Sequence, residues 1–197
     1  MDNDRELTHQ RLLRRGRLLE VATLGWNVVG IVVLAFAAIG ARSVALGGFG
    51  LDSLIEIGAS AVVLWELADL AQDRRRKALR LIGMAFIALA IYLTVQSSVV
   101  LAIGFHSHHS ALGIAWTAAT AAVMFALAAG KARTGTALDN EVLRTEGRVT
   151  AVDAILATAV LLGLVLNATL AWWWADPAAA YVLVYYAVRE ARGALSH

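Results

Sequence analysis

Asp52 and Glu56 stand four positions apart in the run SVALGGFGLDSLIEIGASAVVLWELADL (Ser43–Leu70), most of whose residues are apolar or small. Four positions make about one helical turn, so both carboxyl groups project from one face, and the stripe continues through Ala59 and Ser60 to Glu66. An acidic side chain at the centre of a bilayer costs about 3 kcal/mol on insertion scales, so two on one face mark a functional site with something positive between them. That partner is a proton or a cation. A third carboxylate, Asp153, lies in another apolar run, with Thr150 three residues before it and Glu146 seven before it. This spacing puts all three on one face, Asp153 deepest and Glu146 near the mouth, so Asp153 is expected to join the first pair.

Further polar residues fall inside apolar runs. Glu20 and Asn27 are seven apart, and Asn27 is expected at mid-depth as a packing amide or a neutral oxygen ligand. Glu20, Glu66 and Glu146 all fall toward one end of their runs, where they would form an acidic funnel that concentrates cations below the deeper site. His106, His108 and His109 in FHSHHS are either a polar loop or an outer metal-capture loop, since three imidazoles in four positions suit a transition metal without fixing one.

These residues need long apolar elements to hold them. The chain is 59% hydrophobic and 16% charged, against roughly 45–50% and about 25% in soluble domains. About 20 residues cross the hydrocarbon core, and by that ruler the chain divides into six spans: Leu18–Ala41, Ser43–Leu70, Leu79–Ile103, Ala111–Gly130, Leu143–Ala171 and Pro177–Val188. The expected fold is therefore all-α, a polytopic bundle of six transmembrane helices over residues 18–192, with a basic N-terminal segment, 1–17, and a short tail, 193–197. Asp176 and Pro177 suit the first turn of the sixth helix, with Asp176 as its cap, and Trp172–Trp174 suit an interfacial anchor. Glycines at 47, 48, 50 and 163 allow close helix approach.

Sixteen of the seventeen Lys and Arg residues fall on alternate connections, including the run Arg74–Lys77, with only Arg42 on the other side. Under the positive-inside rule both termini are cytoplasmic and the loops around His106 and Trp173 face outward. The basic residues thus report topology and give no reason to expect nucleic acid as a partner. With no cysteine, disulfides and thiolate ligands are excluded. The charged N-terminus does not suit a cleavable signal peptide, so the first run is expected to persist as a helix.

The segments SVALGGFGLDSLIEIGAS, LRTEGRVTAVDAILATAVLLGLVLN and WWWADPAAAYVLVYYAVREA together resemble the cation diffusion facilitator family of divalent-metal transporters, over roughly residues 20–194. The resemblance implies six spans with both ends inside, a homodimer held within the membrane or by the short ends, and a metal site at Asp52, Glu56 and Asp153. Val149 stands where many zinc transporters of this kind carry histidine or aspartate, and the family's cytoplasmic metal-binding domain is absent from this sequence. A site of carboxylates without imidazole is harder and less zinc-selective. The chain is most similar to a divergent branch carrying the GFGLDSLIE signature. On this reading the protein is not an enzyme and holds no prosthetic group. It exports a divalent cation, zinc first among manganese, iron, cobalt and cadmium, in exchange for protons, from a multi-pass position in a bacterial inner membrane. Two other readings stay open: a membrane metal sensor or assembly subunit without transport, and an intramembrane aspartyl protease with Asp52 and Asp153 as a dyad.

Overall fold

A computed structural model describes residues 2–67 and 72–195, with side chains at 9–58, 80–140, 143, 144 and 146–195. The side chains of Ala59, Ser60, Glu66 and the Arg74–Lys77 run, and all of His197, lie outside the described residues. Among those described the chain is all-α, with six helices: α1 (Asp2–Ala41), α2 (Val44–Leu67), α3 (Gln72–Ile103), α4 (Ala111–Ala137), α5 (Glu141–Leu170) and α6 (Ala175–Leu195). Each matches one of the six apolar runs. Four contain segments long and apolar enough to cross a bilayer, His9–Ala41, Arg80–Ile103, Ala111–Ala137 and Glu146–Leu170, consistent with a membrane protein. The basic segment 1–17 is not separate from the first run, because α1 continues unbroken from Asp2.

The radial distribution of polarity is inverted relative to a water-soluble bundle. Val21, Val28, Val32, Phe36 and Ile39 line the outward face of α1 at helical spacing, Ile39 being 77% exposed, while Asp52, Asp153, Thr117, Thr150 and Lys131 are buried. A soluble helix turns its apolar stripe inward. Here the apolar stripe faces out, as it must when the solvent is lipid. The interior between the polar residues is filled by Leu34, Leu46, Phe49, Leu93, Val160 and Leu183 with many alanines.

α4 packs most extensively against α5 and α3 against α6, while α2 touches α1, α3, α5 and α6. Small residues permit these approaches. A Cβ added at Gly163 of α5 would stand 2.8 Å from the Ala179 Cβ and 2.9 Å from the Ala175 carbonyl oxygen of α6, so only glycine lets these two helices meet.

One end of the bundle is latched by its connections. The His108 N–H donates to the Ala41 carbonyl at 2.8 Å, and the Asn167 amide donates to the carbonyl and Oγ of Ser107, both at 3.1 Å. Asp176 departs from the expected capping role. Its helix begins at Ala175, and its carboxylate instead accepts from the Ser43 Oγ and from the Val44 N–H at the start of α2. Ser43 Oγ in turn accepts from the Leu46 N–H at 3.1 Å. The reason is electrostatic: the first turn of α6 packs against the positive end of α2, where free N–H groups and the helix dipole favour an anion.

Candidate functional site

A cavity of about 420 Å³ opens among all six helices, and its walls include Asp52, Glu56, Asp153, Asn27, Thr150, Glu20 and Glu146. At about 1.5 Å per residue, Asp52 and Glu56 stand roughly 12 and 18 Å along α2 from the latched end, Asn27 about 21 Å and Asp153 about 26 Å along their own helices. The three carboxylates proposed from sequence thus converge from two helices on one chamber within the apolar bundle.

Glu56 of α2 and Asp153 of α5 both line this cavity. Carboxyl groups gathered in one apolar chamber favour a proton or cation among them over bare negative charge. Asp52 and Glu190 line the same cavity. One oxygen of Asp153, Oδ1, is buried with no hydrogen-bond partner in the protein, so its lone pairs are left for a proton, a water or a cation. The Thr150 hydroxyl donates to the Glu146 carbonyl at 2.9 Å and keeps its own lone pairs. Val149 lines the same cavity.

The acidic funnel is corrected by a residue counted among the topology charges. Lys131 of α4 is 1% exposed; its Nζ lies 2.9 Å from Glu20 Oε2 and 3.9 Å from Glu146 Oε2. Glu20 and Glu146 therefore form a bridged cluster with a buried ammonium, not an open field of negative charge. Burial of Lys131 follows from its place on the inward stripe Gly113, Thr117, Thr120, Met124, Ala128, Lys131, which repeats every three or four residues. Burial on this stripe separates Lys131 from the lysines and arginines of the connections.

Glu190 and Tyr186 of α6 also line the cavity and were not singled out from sequence. Their signal is similar: they flank the buried stripe Leu183, Ala187, Ala191. Glu66 lies outside the described side chains. The three loop histidines are exposed and stand away from the cavity, with the His106 ring 5.3 Å from the Trp173 ring. Trp172 and Trp174 stack at 5.2 Å.

Among the described residues no three His, Cys, Asp or Glu side chains are grouped closely enough to hold a metal ion in this conformation, and this applies to the histidine loop and to the carboxylates alike. A cation held by all three acids therefore requires them to draw together. Compared with known proteins, the chain matches no protein-family model and no curated sequence.

Proposed function

We propose that the protein is a secondary transporter that exports a divalent metal cation, zinc or a similar ion, in exchange for protons. All six helices span the membrane in this reading, with both termini in the cytoplasm and the latched end outward. The observation that carries it is that Asp52, Glu56 and Asp153 line one chamber inside an apolar bundle, with the Asp153 Oδ1 buried and without a hydrogen-bond partner. Metal binding needs ionised carboxylates, so metal and protons compete for the same oxygens. Metal arriving from one side displaces protons, and protons arriving from the other displace metal, as the helices rock about a fixed site.

Titration of Zn²⁺ or Mn²⁺ into detergent-solubilised protein, repeated in buffers of different ionisation enthalpy, tests this directly. Saturable binding with proton release supports the site, and absence of saturable binding contradicts it.

The cation set follows from the ligands. Carboxylates serve zinc and manganese alike, whereas imidazole favours zinc. Because Val149 faces the cavity, Val149→His should raise the zinc-to-manganese affinity ratio by about tenfold, or about 1.4 kcal/mol. Competition between the two metals on the purified variant checks this. An unchanged ratio would mean that position 149 does not reach the ion.

A further inference from the structure

Lys131 has no part in a site made of three carboxylates, yet it is the largest of the fully buried side chains among the described residues. A lysine is almost never fully buried unless paired, because removing its charge from water is costly. Its two partners are not buried with it: the side chains of Glu20 and Glu146 remain 37% and 33% exposed. The carboxylates thus face the mouth and the ammonium sits behind them. At about 1.5 Å per residue, Lys131 and Glu20 lie roughly 30 Å from the latched end and Glu146 about 36 Å, one to three turns beyond the Glu56–Asp153 pair. Three helices, α1, α4 and α5, meet at this point.

We propose that Lys131 is a tethered cation that closes the mouth of the cavity: it occupies the two carboxylates an incoming cation meets first, and it must be displaced before that cation reaches Asp52, Glu56 and Asp153. This rests on reading the cavity as a cation path. An anion pair that solvent can reach, bound to a cation that solvent cannot, exchanges its partner only when the lysine moves. Lys131 is a positioning residue, since it holds the gate and does not touch the cation at the deeper site.

The absence of cysteine makes a reporter simple. Thr23 lines the same cavity and is buried, so Thr23→Cys gives one thiol behind the gate. Its rate of modification is compared for a trimethylammonium-bearing and a neutral methanethiosulfonate on the full-length protein. Lys131→Met should raise the cation-to-neutral rate ratio by about tenfold, the lower end of electrostatic focusing in a cleft, and high salt should erase the gain. Glu20→Gln, which keeps the lysine, should move the ratio the other way. Lys131→Arg should leave it unchanged, and the neutral combination of Glu20→Gln, Lys131→Met and Glu146→Gln should restore it. Equal acceleration of both reagents would show a triad that merely holds helices together, and an unchanged ratio would also overturn the gate. The reporter needs no transport. A shifted ratio in a protein that moves no divalent cation would support the gate while overturning the proposed cargo, and an unchanged ratio in an active transporter would do the reverse.

Discussion

Asp52→Asn and Glu56→Gln should each abolish divalent-cation transport while leaving the protein folded. Each exchange keeps the shape of the side chain and removes one negative charge from the chamber that α2 and α5 share. At an effective dielectric of about 20, two unit charges 4 Å apart interact by about 4 kcal/mol, and the charge of a divalent ion doubles the stake. Even half of the smaller figure corresponds to a loss of roughly 30-fold in affinity. Initial rates of metal uptake into inverted vesicles, with circular dichroism as the control for helicity, provide the measurement. Wild-type rates from both variants would remove these residues from the site.

Asp176→Ala should have the largest effect on stability. The carboxylate accepts from the Ser43 hydroxyl and the Val44 N–H, and the residue is 1% exposed. Alanine leaves the buried Ser43 hydroxyl and the partly buried Val44 N–H without their acceptor and removes an anion from the positive end of α2. Loss of such a cap together with an unsatisfied donor costs about 2 to 4 kcal/mol, which in a chain of this size lowers Tm by roughly 5 to 15 °C. Asp176→Asn, which retains one acceptor, should lose about half as much. Thermal unfolding of the purified variants in one detergent decides the matter, and an unchanged Tm for the alanine variant would show that the latch contributes nothing. The transport rate of any surviving protein should be little altered, because Asp176 does not line the cavity.

The contrast between these two aspartates shows what was legible in the sequence. Asp52 was conspicuous because an acid in an apolar run has few explanations, and its partner Glu56 was one turn away. Helix positions were legible for a related reason: hydrocarbon thickness sets a length that apolar runs must meet. The partner of Asp176 was not legible, because Ser43 lies 133 residues away and nothing local distinguishes capping one's own helix from capping another. Lys131 failed for a different reason. A lysine at the end of an apolar run carries the same composition signal whether it reaches out to water or is buried between helices, and only its register on the inward stripe of α4 tells the two apart. That Asp153 joins the α2 pair was suggested by the carboxylate spacing, but their sharing of one cavity depends on how α2 and α5 lie together.

The correction at Lys131 changes how the cavity handles charge. An open acidic funnel would attract any cation and release it slowly. With Glu20 and Glu146 bridged by an ammonium, the mouth carries less net charge, and attraction develops only when the lysine is displaced. In the proposed gate, loading at the mouth is coupled to a rearrangement of α1, α4 and α5, and α5 also carries Asp153 of the deeper site. Such coupling lets a small electrostatic event bias a discrete change in packing.

The central claim is that Asp52, Glu56 and Asp153 exchange a divalent cation for protons. Purified protein in liposomes, loaded with a pH-sensitive dye and a zinc-sensitive dye, measures both fluxes at once. With zinc outside and a more acidic lumen, the account predicts zinc entry accompanied by proton exit, each slowed when an ionophore collapses the pH gradient and each absent in Asp52→Asn. Zinc entry that ignores the pH gradient, or no entry of any divalent cation from protein shown to be folded, would contradict it.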